Sequence, residues 1–181
     1  MLIDAQRSQL LVIDLQERLL PAIHEHERLL GNVIWLIRAA QKIGVPVAAV
    51  EQYPKGLGRT VRGVRDLLPD GAIAQKVHFS AVAAQCLVNL PGSDRTQIVL
   101  IGSETHVCLL QTALELLEEG KEVYVVADAV GSRHAADRDL ALARMRQEGA
   151  RIVSREMVVF EWLGEAGTSL FRTVSRELLR G

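Results

Sequence analysis

The sequence predicts an α/β domain with a parallel sheet covered by helices on both faces. Short apolar segments rich in β-branched residues alternate along the chain with segments whose apolar residues recur at helical spacing. The strand segments are apolar throughout, which is typical of parallel strands buried on both faces. No internal repeat, low-complexity tract or linker interrupts this alternation, so we expect residues 1–181 to form a single domain.

Six strands and six helices follow from the pattern in chain order. The strands are predicted at residues 10–14, 47–51, 72–76, 98–101, 122–128 and 150–154. The helices are predicted at about residues 25–43, 83–90, 106–119, 137–148, 155–163 and 168–179. Residues 52–58 are predicted as a loop without regular structure, because one proline and two glycines fall within this short segment.

Composition and charge restrict the class of partners. Hydrophobic residues make up 49% of the chain and aromatic residues only 4%, so the core is expected to be aliphatic. The formal net charge of −1 offers no basic field for nucleic acid. No apolar run approaches the roughly 18 residues of a membrane helix, and the first residues lack the pattern of a signal peptide. Because two cysteines do not make a disulfide framework, we expect a cytoplasmic protein with reduced thiols.

Cys108 lies in the first turn of the predicted fourth helix. Thr105 is the candidate N-cap, and Gly120 is the expected stop of this helix. The amide of Cys108 would then have no partner inside the helix, and the positive end of the helix dipole would lie beside the sulfur. Both effects favour the thiolate and predict a lowered pKa for Cys108, as a nucleophile requires. The alternative is a small buried apolar residue that only packs.

Polar residues close several of the predicted strands. Asp14 ends the first strand, Glu51 ends the second, Lys76 ends the third, and Cys108 follows the fourth by one turn. Right-handed crossovers bring these strand ends to one edge of the sheet, where open parallel sheets bind ligands. An acid, an amine and a thiol at one edge are the parts of a thiol nucleophile site. Taken alone, Asp14 also fits a turn residue and Lys76 a solvated side chain.

Three segments of the chain resemble the signature segments of the isochorismatase-like cysteine hydrolases. They are residues 11–16, 75–81 and 102–113, and residues 125–130 are similar to the next strand of that family. The resemblance implies a three-layer α/β/α sandwich with a six-stranded parallel sheet of order 3-2-1-4-5-6. It also implies a catalytic triad in which Asp14 is the general base, Lys76 supports the thiolate and Cys108 attacks a carbonyl carbon.

The resemblance further implies a cis peptide before the cysteine helix, here between Ser103 and Glu104. The amides of Glu104 and Cys108 would form the oxyanion hole. Several other side chains near the strand ends are candidate substrate contacts, with packing or surface roles as the alternative for the two histidines. They are Gln16, Glu51, Tyr53, His78 and His106.

The resemblance also narrows the chemistry. Nicotinamidases of this superfamily carry an Asp-x-His metal site after the second strand, whereas this chain has Glu51 and Tyr53 there, so no metal is expected. No G-x-G-x-x-G segment follows a strand, so no dinucleotide cofactor is expected either. Isochorismatases proper cleave a vinyl ether without needing the cysteine. Because Cys108 is present, we predict hydrolysis of a carbon–nitrogen bond in a small amide, imide or carbamoyl compound through an acyl-enzyme.

Other functions stay open from the sequence. A catalytically silent small-molecule-binding or scaffold protein would keep the fold, and a vinyl-ether hydrolase would keep the pocket. A thiol redox protein using Cys108 is a further alternative, although no resolving cysteine lies near it in sequence. Members of the family often assemble, so a homo-oligomer is expected.

Overall fold

The computed structural model describes residues 1–179 and contains one six-stranded sheet of order β3-β2-β1-β4-β5-β6, in which all neighbouring strands are parallel. The predicted sheet and its order are therefore confirmed. The strands are β1 (Ser8–Ile13), β2 (Val47–Gln52), β3 (Ile73–Lys76), β4 (Gln97–Ser103), β5 (Glu122–Gly131) and β6 (Arg151–Val153). The continuous apolar runs of the three central strands β1, β2 and β4 are buried along their whole length, as two covered faces require.

Helices cover both faces of the sheet. The α-helices are α1 (His26–Ile43), α2 (Pro54–Leu57), α3 (Arg62–Arg65), α4 (Leu110–Glu118), α5 (Ala135–Gln147), α6 (Arg155–Leu163) and α7 (Ser169–Val174). A 3-10 turn spans Leu20–Ala22, and π-helical turns span Thr105–Leu109 and Ser175–Leu179. Alternate strand residues enter two separate aliphatic cores. One core packs against α1 and α6, and the other packs against α4 and α5.

The predicted helix at residues 83–90 is wrong, because this segment forms a series of turns. Side-chain contacts replace the helical hydrogen bonds here. Ser80 Oγ accepts hydrogen bonds from the amides of Val82 and Ala83, and it donates one to the Glu115 carboxylate on α4. The backbone at Gln85 is left-handed, with φ of 52°, which interrupts a right-handed helix. The segment is therefore anchored to α4 by polar contacts.

The prediction that residues 52–58 lack regular structure is also wrong. Pro54–Leu57 forms the short helix α2, with the proline at its first position, where the missing amide costs nothing. Gly56 lies under the ring of Tyr53, since a Cβ at this glycine would approach the ring carbons to 2.5 Å. The segment is thus an ordered loop beside the ends of β2 and β3.

The carboxyl ends of β1 and β4 approach each other unusually closely. Gly102 has φ of 127°, and a Cβ there would lie 2.1 Å from the carbonyl oxygen of Ile13. Only glycine fits this approach, which brings the ends of the two strands together at one edge of the sheet. Within residues 1–179, no helix combines the length and the apolar character needed to cross a bilayer.

Candidate active site

Strand register brings the predicted triad together. Asp14 follows β1 directly, and its amide donates a hydrogen bond to the carbonyl of Val50 on β2. Lys76 ends β3 in register with Gln52, the last residue of β2, so both side chains project from the same face of the sheet. Cys108 lies in the π-helical turn that follows β4. The carboxylate, the ammonium and the thiol therefore meet at the carboxyl edge of the sheet.

The triad is a buried polar cluster with Gln52 as a fourth member. Lys76 Nζ lies 3.0 Å from Asp14 Oδ2 and 2.7 Å from Gln52 Oε1. Cys108 Sγ lies 4.0 Å from the same Gln52 oxygen. The side chains of Asp14 and Lys76 have no solvent exposure, and Cys108 is 4% exposed. Gln52 was not among the predicted site residues, because the sequence analysis placed it in a loop.

Burial sets the protonation of this cluster. Loss of solvation raises the pKa of Asp14, although the Lys76 ammonium and the Cys108 thiol oppose this effect. Burial also raises the pKa of Cys108 far above its ordinary value, and the negative charge of Asp14 adds to the rise, while Lys76 opposes it. The predicted lowering of the Cys108 pKa is therefore wrong. In both groups burial therefore favours the neutral form, and the neighbouring Lys76 side chain opposes it.

The turn that carries Cys108 differs from the predicted helix start. Thr105 is the first residue of the π-helical turn rather than an N-cap, and its buried hydroxyl has no hydrogen-bond partner within the described part of the chain. No peptide bond among residues 1–179 is cis, so the expected cis bond between Ser103 and Glu104 is also wrong. The backbone turns instead through a left-handed residue, since Glu104 has φ of 53° and ψ of 53°.

Ser103 and Glu104 hold this turn in place. Ser103 Oγ donates a hydrogen bond of 2.6 Å to the carbonyl of Asp14, which ties the end of β4 to the backbone that follows β1. The carbonyl of Glu104 accepts hydrogen bonds from the amides of Val107 and Leu109. These bonds fix the peptide planes around Cys108. The role of the Glu104 and Cys108 amides as an oxyanion hole stays a prediction.

The Glu104 side chain points away from the triad. Its carboxylate forms a bidentate ion pair with Arg133, at 3.1 and 3.3 Å. The His106 ring lies between two carboxylates, with Nε2 3.9 Å from Glu104 and 3.9 Å from Asp137, and its Nδ1 lies 3.0 Å from Ser132 Oγ. His106 thus lies toward β5, and its predicted contact with substrate stays untested.

Gln16 and Glu51, two of the predicted substrate contacts, have hydrogen-bond partners within the chain, and their contact with substrate stays a prediction. The buried Gln16 side chain accepts a hydrogen bond of 2.7 Å from the backbone amide of Gln52 at its Oε1. Its Nε2 donates one of 2.9 Å to the carbonyl of Gln52 and another to the carbonyl of Gly58. The buried Glu51 carboxylate accepts a hydrogen bond from the amide of Thr60. Both side chains therefore hold the segment after β2 against β1, and the structure gives them no position facing the triad.

Tyr53 and His78 lie beside the end of β3, where the amide of Tyr53 donates a hydrogen bond to the carbonyl of Lys76. They line a cavity of about 460 Å³ together with Lys76. The remaining lining residues are Pro54, Lys55, Gln75, Val77 and Ala84. Tyr53 is half exposed, and His78 is exposed. The cavity is large enough for a small molecule beside the end of β3, while the Lys76 ammonium itself stays buried behind its wall.

The position of the nicotinamidase metal site does not fit a metal in this chain. The Glu51 carboxylate already accepts a hydrogen bond from the amide of Thr60. Tyr53 supplies a phenol at the position where the nicotinamidase metal site has a histidine imidazole. Among residues 1–179, no three His, Cys, Asp or Glu side chains converge as metal ligands. Independence from metal stays a prediction.

Comparison with known proteins places the chain in a family. Residues 8–157 match the model of the isochorismatase domain. Isochorismatase domain-containing protein 1 of Salmo salar is 40% identical over 164 residues, which is 89% of this chain, and the chain spans 57% of the length of that relative. A secreted isochorismatase effector, Isc1 of Phytophthora sojae, is 36% identical and matches 93% of this chain and 83% of its own.

Two solved structures share the fold of this chain. The MAR1 ribonuclease of Caenorhabditis elegans has a TM-score of 0.88 and 34% identity, with 100% of this chain and 94% of that chain covered. The YcaC protein of Pseudomonas aeruginosa, solved with hexane-2,5-diol and covalent acrylamide, has a TM-score of 0.86 and 26% identity, with coverage of 98% and 92%. With the predicted sheet order and a family match over most of its length, this chain belongs to the isochorismatase family.

Proposed function

We propose that the chain is a metal-independent cysteine hydrolase that cleaves a carbon–nitrogen bond in a small amide, imide or carbamoyl compound. The observation that carries this proposal is the buried ion pair of Asp14 and Lys76 beside the Cys108 thiol. A buried charge pair costs solvation energy, so a purely structural role at this position would be served as well by apolar side chains. A base, a cation and a nucleophile in contact are the groups that acyl transfer requires.

The first half of the reaction transfers the acyl group to sulfur. Asp14 accepts the thiol proton while the Cys108 sulfur bonds to the substrate carbonyl carbon, and the carbonyl electron pair moves to oxygen. Lys76 remains protonated and stabilises the negative charge as it develops. When the carbon–nitrogen bond breaks, Asp14 gives the proton to the leaving nitrogen. A thioester on Cys108 and an ionised Asp14 remain.

The second half releases the acid. Asp14 accepts a proton from water as the water oxygen bonds to the thioester carbon. The carbon–sulfur bond then breaks, and Cys108 takes the proton back from Asp14. The raised pKa values of both groups suit this cycle, because one proton moves between carboxyl and thiol while the cluster never carries two negative charges.

Two neighbours bear on this proposal in different ways. The YcaC protein was solved with covalent acrylamide, so a member of this fold carries a side chain that reacts with a small amide-bearing electrophile. The MAR1 protein is named a ribonuclease, which makes RNA cleavage the second candidate function. The net charge of −1, which offers no basic field for a phosphate backbone, and the cavity of about 460 Å³ favour a small substrate over RNA.

The test is a search for the acyl-enzyme by intact-protein mass spectrometry. The protein is mixed with a panel of small amides, imides and carbamoyl compounds, and with a fluorogenic RNA. We expect a mass increase at Cys108 and turnover of the same compound, both abolished by Cys108→Ala. The matched control is Cys86→Ala, since the Cys86 thiol bonds the carbonyl of Ala81 and, among the described residues, has no hydrogen bond to a triad side chain. RNA cleavage that survives Cys108→Ala would favour the second candidate, and binding without any adduct would favour a silent binding protein.

We also propose that the chain forms a homo-oligomer and works in the cytoplasm. Large apolar side chains stand exposed between β3 and β4, with Val77, Phe79 and Val88 exposed by 69%, 52% and 71%. Sedimentation of the parent and of Phe79→Glu gives the test. A parent that sediments as a monomer contradicts the oligomer. Cell fractionation tests the compartment, because a relative is a secreted effector.

A further inference from the structure

Gln52 is held in one orientation by contacts at both ends of its side-chain amide. Nε2 donates a hydrogen bond of 2.8 Å to the carbonyl of Val77, and Oε1 accepts one of 2.7 Å from Lys76 Nζ. The backbone of Gln52 is fixed as well, because its amide and carbonyl both bond the side chain of Gln16. The residue is 8% exposed, so solvent does not compete strongly for these bonds.

Exchanging the two ends of this amide would be costly. A flipped Gln52 would turn its NH2 group toward the Lys76 ammonium and its oxygen toward the carbonyl of Val77. Both contacts would then be repulsive, because a donor would face a donor at Lys76 and an acceptor would face an acceptor at Val77. The Val77 contact therefore keeps the Gln52 oxygen directed into the triad.

The Gln52 oxygen also determines how Lys76 uses its three N–H bonds. Among the described residues, two acceptors lie within hydrogen-bond distance of Nζ, which are Asp14 Oδ2 and Gln52 Oε1. An ammonium carries three donors, so one N–H remains for another partner. Cys108 Sγ lies 4.0 Å from Gln52 Oε1, which places the sulfur beside the same ammonium.

We propose that Gln52 is a positioning residue of the site, which holds the Lys76 ammonium beside Asp14 and keeps its third N–H available for the charge that develops on reaction. This inference rests on the proposed function and extends it, since neither the sequence pattern nor the triad itself assigns a role to Gln52. The polar, uncharged amide suits the position. It supplies an acceptor for Lys76 without adding a second negative charge beside Asp14.

Two substitutions separate this role from a purely structural one. Gln52→Met keeps the length of the side chain and removes the acceptor for Lys76. Gln52→Glu keeps an acceptor but adds a negative charge about 4 Å from the sulfur, where charges interact strongly. Both variants lose the bond to Val77, so a loss of stability alone does not distinguish the two roles. The pH dependence of Cys108 reactivity does.

The experiment measures the alkylation rate of Cys108 by iodoacetamide across neutral and alkaline pH, resolved from Cys86 by peptide mass spectrometry. Iodoacetamide is uncharged, so the rate follows the thiolate population. For Gln52→Glu we expect a profile displaced upward by at least about one pH unit, which is a tenfold lower rate at a fixed pH. For Gln52→Met we expect a rate lowered several-fold at each pH, because the ammonium is no longer held beside the sulfur. Gln147→Met, on the exposed end of α5, is the matched control.

The outcomes separate the positioning role from the proposed function. If both Gln52 variants remain folded by circular dichroism and alkylate with the parent's profile, Gln52 is only structural and this inference is overturned. If iodoacetamide does not alkylate Cys108 of the parent while the amide, imide and carbamoyl panel acylates it, this inference fails and the proposed function stands. If neither reagent forms an adduct at Cys108, both fail. If the parent reacts and Gln52→Glu alone shifts the profile, the charge effect is real but the anchoring of Lys76 is refuted.

Discussion

The Glu104 carboxylate and the Arg133 guanidinium form a bidentate ion pair at the turn that carries Cys108. The Glu104 side chain is 9% exposed and Arg133 is 52% exposed, so solvent weakens the pair from one side only. Arg133→Met keeps the apolar stem but leaves Glu104 with a poorly compensated charge. We expect the free energy of unfolding to fall by about 1 kcal/mol, measured by urea titration.

The control for this prediction is the exposed ion pair of Arg28 and Glu25, whose side chains are 69% and 57% exposed. Arg28→Met should change the free energy of unfolding by less than about 0.5 kcal/mol. Equal effects of Arg28→Met and Arg133→Met would mean that the Glu104 pair adds nothing beyond an ordinary surface contact. We also expect Arg133→Met to slow acylation of Cys108, because Glu104 fixes the turn.

The second prediction concerns the pH dependence of stability in Lys76→Met. Burial already raises the pKa of Asp14, and removal of the opposing ammonium raises it further. Below the ordinary carboxyl pKa of about 4, the Asp14 carboxyl is neutral in both the folded and the unfolded state, so its ionisation does not lower the free energy of unfolding. As the pH rises above this value, the unfolded chain ionises while the folded chain keeps its proton, so stability falls until the raised pKa is passed.

We therefore expect Lys76→Met to lose about 3–5 kcal/mol of stability at neutral pH and to recover part of it at acidic pH. Urea titrations at both pH values measure the difference. The double variant Asp14→Asn/Lys76→Met has no ionisable group at either position, so the added pH dependence should vanish. If the double variant keeps the dependence, another group is its source.

The third prediction compares two glycines. In Gly102→Ala, the new Cβ would lie 2.1 Å from the Ile13 carbonyl oxygen, at a φ of 127° that alanine rarely adopts. The oxygen belongs to the centre of the sheet and cannot move aside, so we expect a loss of about 3 kcal/mol or more. Gly31→Ala, in an exposed position of α1 with no atom within 4 Å, should instead stabilise by about 0.5–1 kcal/mol. Thermal unfolding of both variants gives the comparison, and a mild effect at Gly102 would contradict the close approach of β1 and β4.

The fourth prediction concerns Gln16. Gln16→Met leaves the amide and carbonyl of Gln52 and the carbonyl of Gly58 without their side-chain partner. Because these backbone groups are largely buried, we expect a loss of about 2–4 kcal/mol in urea titration. Gln147→Met again serves as the control, with no change expected. A loss below about 0.5 kcal/mol would show that water replaces Gln16 freely.

The positions of the candidate catalytic groups were accessible from the sequence because they lie at or just after the ends of parallel strands. Apolar runs located β1, β3 and β4. Asp14 follows β1 directly, Lys76 is the last residue of β3, and Cys108 lies in the turn after β4. Strand ends in a parallel sheet share one edge, so three local patterns were sufficient to predict a three-dimensional cluster. The close contact of Lys76 with Asp14 agrees with that prediction.

The environment of Cys108 was not accessible in the same way. A helix start seen in sequence suggests a lowered thiol pKa, but the depth of the sulfur depends on the whole fold. Here burial outweighs the helix dipole and raises the pKa. The π-helical turn at Thr105–Leu109 has no local sequence signal either, and neither has the left-handed Glu104.

Gln52 was missed for a related reason. The nearby proline and glycines suggested that the chain leaves the sheet after Glu51, whereas β2 extends by one more residue and pairs Gln52 with Lys76. The signal that would have found it is positional, since a polar residue in register with a site lysine on the neighbouring strand projects to the same side. No sequence pattern of this kind indicates contacts between distant residues, such as the ion pair of Glu104 with Arg133.

The side-chain hydrogen bonds of Gln16 limit which residues around the cavity can be substituted without disturbing the site. Its side chain joins the stretch after Asp14 to the end of β2 and to Gly58, at the far end of the loop that begins at Tyr53. Changes of substrate preference are thus expected to accumulate at Tyr53 and Lys55, whose side chains are exposed. A substitution at Gln16 that changed substrate preference would also displace Asp14, the proposed base. Substrate specificity and catalytic activity are therefore expected to change together at Gln16, but independently at Tyr53 and Lys55.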